Sequence, residues 1–425
     1  MGKKVNFIIL FLIVVICVFT ASQYQELTSE IDSGDTAWML VASAFVLLMT
    51  PGLSFFYGGM VNKKNVISTM LQSFIALGVI SVLWVMVGFS LAFGDSLGGI
   101  IGNPFTYFAF NNVGSEPNPA FSSTIPFLLF ALFQLKFAII TPALITGSFA
   151  GRVRFRSYIF FMVLFSIFIY SPLAHMTWHP DGLFRNWGVL DFAGGTVVHM
   201  SAGIAALAGA VFLGKRNSAF KQPANVPFVI LGTGLLWFGW FGFNAGSALG
   251  ANSDAVIAFA NTNIASATAM ITWVFYERML GRKMSAVGAC IGAVVGLVAI
   301  TPAAGFVNIG QSMFIGFIAA IICNWAIHLK NKSSIDDTLD VFPSHGIGGI
   351  VGMLLTAVFA SGVGLIYGET TTFLNHLLAL VITFIYCFGV SYVLYMLVDK
   401  ILTMRVREDQ EEVGLDLSQH GEKIQ

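Results

Sequence analysis

The chain has 425 residues, 56% of them hydrophobic and only 10% charged, with 21 Lys and Arg balanced by 21 Asp and Glu. An ordinary soluble domain carries about 25% charged residues, so this composition excludes a soluble globular fold and leaves no part of the chain for a sizeable soluble domain. It describes an all-α polytopic membrane protein whose first partner is the lipid membrane, and nothing in it indicates a nucleic-acid partner.

The N-terminal stretch "MGKKVNFIILFLIVVICVFTASQ" places Lys3 and Lys4 before a short apolar core, with small residues at Thr20 and Ser22 behind it. Residues 1–22 therefore read as a signal peptide cleaved near Ser22; the alternative is an uncleaved extra helix, for which the core is short. Eleven apolar segments follow, at 36–60, 66–93, 124–149, 157–178, 192–213, 226–247, 255–280, 285–300, 310–328, 344–365 and 373–402. They compare with the roughly 20 residues needed to cross a bilayer. Residues 23–403 form this eleven-helix unit and 404–425 a polar tail. Of the four cysteines, Cys17 falls in the leader and Cys290, Cys323 and Cys387 in apolar spans, with neither a disulfide framework nor metal-type spacing.

An odd number of spans puts the mature ends on opposite sides. Two of the 21 Lys and Arg lie in the leader and Lys136 lies inside a span; of the other 18, only Arg185 falls outside when the mature N-terminus is placed outside. Lys63, Lys64, Arg152, Arg154, Arg156, Lys215, Arg216, Lys221, Arg278, Arg282, Lys283, Lys330, Lys332, Lys400, Arg405, Arg407 and Lys423 all fall at or near inner ends, as the positive-inside rule requires. A miscounted helix would flip every later loop and spoil this sorting. The tail is therefore expected in the cytoplasm.

His199, in "GGTVVHMSAGIAAL", and His345, in "FPSHGIGGIVGMLL", sit on the fifth and tenth spans. "HMSAGI" and "HGIGGI" share the histidine, three residues, then Gly-Ile, which suggests two five-helix halves in an inverted repeat plus one added helix. Ionisable groups at a helix centre cost about 2.5 to 3.5 kcal/mol on insertion scales and generally face a bundle interior or a pathway. The embedded candidates are Lys136, His175, Asp191, His199, Glu277, Asp340 and His345. A lone histidine more often bonds a neighbouring helix. Two at matching places favour function, because facing neutral imidazoles share a proton and offer an acceptor to a small polar solute. Asp191, in "LDFAGG", reads as the cap of the fifth span.

Several blocks together resemble the ammonium transporter family, the Amt/Mep/Rh proteins. They are "DTAWMLVASAFVLLMTPGLSFFYGGMV" at 35–61, "FQLKFAIITPALI" at 133–145, "LDFAGGTVVHMSAG" at 190–203, "WFGFNAGS" at 240–247, "DVFPSHGIGGIVG" at 340–352 and "RVREDQEEVGLDLSQHGE" at 405–422. The resemblance implies a homotrimer in the cell (inner) membrane, each subunit with its own pore. It assigns Trp178, Phe133 and Ser247 to an outer ammonium recruitment site, Phe137 and Phe243 to a stacked gate, and His199 and His345 to an otherwise apolar pore. Asp191 becomes the acidic support of the recruitment site. The cargo would be ammonium or ammonia, with methylammonium as an alternative, and no cofactor or metal is implied. In the tail, Leu415, Asp416, His420, Gly421 and Glu422 match a regulatory segment that communicates between subunits and suggests binding of a trimeric PII-type nitrogen regulator.

Two positions depart from the family pattern. Lys136 stands in "FQLKF" where the family has a small or hydroxyl residue; helical spacing puts it about 60° from Phe133 and about 100° from Phe137, open either to the vestibule or to a packed structural role. Gly151 stands where an acidic residue is usual, which removes an inner-end carboxylate. Lys136 motivates a second reading, an ammonium-sensing receptor with little flux. A third, independent of the family, makes His199 and His345 axial haem ligands. Nothing in the sequence suggests a hydrolase or nucleotide site, the Gly-rich stretches lying in spans without a phosphate-loop lysine.

Overall fold

The computed structural model describes residues 5–20, 30–217 and 222–424. Lys3, Lys4, the cleavage position near Ser22, and Lys221 lie outside the described residues. An N-terminal helix, Val5–Phe19, brings the Cys17 thiol 3.3 Å from Met86 Sδ.

Ten helices are long and apolar enough to cross a membrane among the described residues. They are α1 (Ser33–Met60), α2 (Lys63–Phe93), α3 (Phe127–Phe149), α4 (Phe155–Asn186), α5 (Gly195–Leu213), α6 (Val226–Ala248), α7 (Ser253–Met279), α9 (Ile309–Lys332), α10 (Phe342–Phe359) and α11 (Thr370–Leu402). The shorter α8 (Ala286–Ile300) occupies the remaining expected segment. Polar caps set many starts: Asp32 accepts from Asp35 N–H, Asn225 from Phe228, Asn252 from Ala255 and Ser285 from Gly288, and Asn308 with Gln311 forms a capping box. The tenth span was expected to reach residue 365. It ends at Phe359 because the chain turns there, with Gly364 N–H donating to Ala360 O and Gly362 at φ +75°.

α3 and α5 are enclosed by the other helices, whereas α2, α9 and α11 leave long apolar faces uncovered. Where α5 crosses α10, Gly203 lies directly against the backbone of Gly346, an approach that any side chain would block. Both helices begin with a π-helical segment, Gly195–Met200 and Phe342–Ile347, and each segment carries its histidine. Such one-turn widenings aim a side chain that a regular helix would rotate away.

Lys64, Arg152, Arg154, Arg216 and Arg405 gather at one end, termed inner here, while Arg185 lines a cavity at the other. Asp336 bridges buried Arg152 at 2.8 Å and Arg216 at 2.7 Å. Burial would raise its carboxyl, but the two guanidiniums outweigh burial and hold it below the usual carboxylate range.

The tail docks on this end. Leu415 N–H donates to Asn65 Oδ1 at 2.8 Å, Asp416 accepts from Ile67 and Ser68 N–H at 3.1 and 2.7 Å, and Lys64 Nζ donates to the carbonyls of Glu411 and Glu412. His420 lies 3.3 Å from Ser68 Oγ and edge-on to Phe155. Gly421 takes φ +71° and Glu422 N–H donates to Asp416 O. Gly151 has a positive reason to be glycine: its φ is +84°, and a Cβ there would lie 2.6 Å from Asn65 Nδ2, the side chain that anchors Leu415. The tail therefore packs at the inner helix ends without the carboxylate missing at 151.

Gly151→Ala should lower stability by about 1–2 kcal/mol, the cost of a left-handed L-residue, and open Arg405 and Arg407 to trypsin. An unchanged melting temperature with the tail still protected would contradict this account of Gly151.

Candidate functional site

At the outer end a cavity of about 330 Å³ opens between α3, α4 and the segments around Asp191 and Ser247. Gln134, Phe137, Trp178, Asp191, Ser247 and Asp254 are among its lining residues. The start of α5 builds one wall. Asp191 is buried, and its Oδ1 accepts from Gly194 and Gly195 N–H at 2.8 and 2.7 Å while Oδ2 accepts from Thr196 N–H at 2.7 Å and Thr196 Oγ at 2.6 Å. Four donors fill the lone pairs of both oxygens, so this carboxylate acts as a helix cap and a source of negative potential. Its backbone carbonyl accepts from the Trp178 indole N–H at 3.2 Å, fixing the ring in the cavity wall. Ser247 Oγ donates to Phe243 O at 2.9 Å, which leaves its lone pairs for an incoming donor.

A column of rings descends from this wall. Trp178 meets Phe137 edge-on at 5.8 Å, Phe137 lies over Phe243 at 4.3 Å with the rings tilted by 36°, Phe243 lies 5.9 Å from His199, and His199 lies 5.5 Å from His345. Phe133 backs Phe137 at 4.9 Å, 1% exposed and not among the cavity-lining residues. Below Phe243 a void of about 10 Å³, room for one water-sized molecule, is lined by both histidines, Trp240 and apolar residues such as Leu53, Ile140 and Leu236.

The hydrogen-bond network assigns the imidazole tautomers. Thr301 Oγ–H donates to Leu297 O at 2.8 Å and its oxygen accepts from Trp240 Nε1–H at 2.9 Å, so toward His199 Nε2, 3.3 Å away, it acts as acceptor. His199 therefore carries its hydrogen on Nε2. Its bare Nδ1, 3.4 Å from His345 Nδ1, then accepts from that atom. His345 Nε2 is left as an acceptor with no hydrogen-bond partner among the described residues. This spacing, with Trp240 and Phe243 stacked on His199, leaves no plane between the imidazoles for a haem.

The other embedded candidates resolve as structure. His175 Nδ1–H donates to Ala92 O at 3.0 Å and its Nε2 accepts from Ser96 Oγ at 2.8 Å; Glu277 accepts from Ser285 N–H; Asp340 pairs with Lys330 at 2.7 Å. Lys136 is half-buried and not among the residues lining the outer cavity. It has no hydrogen-bond or ion-pair partner among the described residues.

Sequence reasoning missed Gln134, Thr301, Trp240 and His376. Gln134 lines the cavity while nine-tenths buried, with its side-chain carbonyl oxygen unpartnered; the only hint was its place beside Phe133. His376, an ionisable residue in an apolar span and therefore detectable, donates to Met353 O and accepts from Leu190 N–H at 2.9 Å, holding the segment that presents Asp191.

An aromatic-walled cavity leading through two contacting phenylalanines to a paired imidazole in an apolar bundle defines a multi-pass membrane protein built around a narrow passage for a small solute. The sequence profile of the Ammonium Transporter Family matches residues 37–424, and the chain belongs to that family. It is 46% identical over 420 residues to an ammonium transporter of Aquifex aeolicus, covering 97% of this chain and 98% of that protein. It is 43% identical over 399 residues to an ammonium transporter of Bacillus subtilis, covering 92% and 98%. The crystal structure of Saccharomyces cerevisiae Mep2 superposes with a TM-score of 0.84 at 35% identity, covering 90% of this chain and 92% of that one. A solved structure of a sensor Amt protein does so with 0.84 at 30% identity, covering 91% and 98%.

In Thr301→Val, His199 loses its Nε2 acceptor, and nitrogen NMR of labelled histidine should show the Nε2–H preference of His199 collapsing. An unaltered tautomer spectrum would contradict the assignment.

Proposed function

We propose that the protein transports ammonium by recruiting it in the outer cavity, deprotonating it at the aromatic gate and conducting ammonia past His199 and His345, with the proton moving separately. The observation that carries this reading is the Phe137–Phe243 ring pair, in contact at 4.3 Å between a polar, aromatic-walled cavity and an apolar void of single-molecule size. The Trp178 ring attracts a cation, and Ser247 Oγ accepts one of its N–H bonds. Phe133 contributes to recruitment by bracing Phe137 rather than by touching the ion, and Asp191 contributes potential. Moving the intact ion into the void would cost the desolvation of an unpaired charge, whereas ammonia is small and neutral. Potassium, of similar size, has no proton to give. The bare Nε2 of His345 accepts a hydrogen bond from the passing solute.

On this reading the mature chain has eleven spans in five-plus-five inverted halves plus one, assembled as a homotrimer in the inner membrane with its N-terminus outside after removal of residues 1–22. Methylammonium is an alternative cargo. The tail from 404 to 425, with Leu415, Asp416, His420, Gly421 and Glu422 against the inner helix ends, is the docking platform for a PII-type nitrogen regulator.

A sensing role with little flux is the second reading, favoured by the likeness to a sensor Amt protein. Its other motive, Lys136, is weakened because that side chain does not line the cavity.

His199→Ala and His345→Ala should alter ammonium current or its discrimination against potassium in proteoliposomes while leaving the oligomer intact. Unchanged currents and discrimination in both variants would sink the twin-histidine role. In the same assay, Lys136→Ser should conduct like the native chain; a sustained current found only in that variant would instead favour the sensor.

A further inference from the structure

A second cavity, of about 230 Å³, lies at the inner end, away from the passage. Three arginines line it, Arg154, Arg156 and Arg407, together with Ser157, Gln410 and Gln419. No carboxylate is among its lining residues. Arg156 is exposed and its guanidinium has no hydrogen-bond or ion-pair partner among the described residues. Arg154 commits Nε to Arg405 O at 3.1 Å, while its terminal nitrogens make no hydrogen bond among the described residues. Arg407 is held by Asp409 through two bonds of 2.9 Å, but both side chains are about two-thirds exposed, and such a pair exchanges easily with a competing anion. Arg154 is also the cap residue of α4 and offers no side-chain acceptor to that helix start; Phe155 N–H reaches only Gln419 Oε1, at 3.5 Å.

Unsatisfied guanidinium donors and an uncapped helix start, converging on one cavity without a counter-charge in its lining, match the chemistry of a phosphate group. The depth of the cavity points to the source. It is bounded by the first turn of α4 and by Leu402, the last residue of α11, so it lies where the apolar spans end and headgroups begin. The exposed apolar residues Val393, Leu397 and Ile401 form one stripe of α11 that ends beside Leu402 and offers a path for an acyl chain.

We propose that this cavity is a binding site for the phosphate headgroup of an anionic membrane lipid. Because Arg154 caps α4 and Arg156 lies in its first turn while Arg407, Gln410 and Gln419 belong to the tail, the bound headgroup ties the tail to the inner membrane surface. Juxtamembrane basic clusters attract anionic lipid by this electrostatics, and here a preformed cavity adds a geometric fit. The inference does not depend on what passes through the pore.

The test uses the full-length chain, delipidated in neutral detergent and titrated with phosphatidylglycerol or phosphatidylcholine, with bound lipid counted by native mass spectrometry and inorganic phosphate present or absent. The double variant Arg156→Gln/Arg407→Gln breaks only the exposed Asp409 pair, and Arg282→Gln/Lys283→Gln, on another inner loop, serves as the comparison. The native chain should prefer phosphatidylglycerol, and the arginine variant should lose about tenfold of that preference while the comparison variant keeps it. Equal preference in the native chain and the arginine variant overturns the site. Displacement of the lipid by millimolar inorganic phosphate, with phosphorus NMR detecting phosphate on the native chain alone, overturns the lipid as occupant and assigns the arginines to a soluble phosphate.

Discussion

An imidazole buried in an apolar membrane bundle must find its hydrogen-bond partners inside the protein, because hydrocarbon supplies none. The pairing of His199 with His345 meets that demand, and much of the surrounding structure serves it. Thr301 can anchor His199 Nε2–H only because its own hydrogen is committed to Leu297 O. The close crossing of Gly203 and Gly346 brings α5 and α10 near enough for the rings to face each other, and the π-helical start of each helix carries its histidine at that crossing. What remains unsatisfied is one acceptor, His345 Nε2, in a passage otherwise lined by hydrocarbon and aromatic rings.

The same accounting separates the roles of the two polar ends. Asp191 has no free lone pair and cannot ligand an ion directly, yet its buried carboxylate stands beside the outer cavity. Ser247 is the reverse: uncharged, with acceptor capacity to spare. On the proposed reading a cation is drawn by potential and ring faces, then held by a neutral hydroxyl that releases it without breaking an ion pair. At the inner end, charge is paired tightly around Asp336 and loosely at Arg407, while Arg156 has no ion-pair partner among the described residues, so the first cluster fixes the helix ends and the second remains open to a partner.

Most span positions were legible in the sequence because hydropathy and the sorting of Lys and Arg are independent signals that had to agree, and the structure moves most boundaries by only a few residues. The tenth span was overextended because residues 360–364 carry no charge or proline to break the apolar run, although Ser361, Gly362 and Gly364 mark the turn that ends the helix. His199, His345 and Asp191 were legible because ionisable groups are rare in apolar spans. Thr301 and Trp240 were not, since a threonine or tryptophan in a span carries no signal until the fold sets it beside a histidine. Gly151 read as a lost carboxylate, whereas its backbone angle and the neighbouring Asn65 give glycine its own reason to be there.

The central claim is that the passage selects by deprotonation, admitting ammonia and refusing an ion of equal size. The most direct test is the current from native protein in proteoliposomes on a solid-supported membrane, after equal concentration jumps of ammonium and of potassium. The account predicts a sustained current for ammonium and none for potassium. Equal sustained currents for both ions would mean that intact cations cross, and would contradict it.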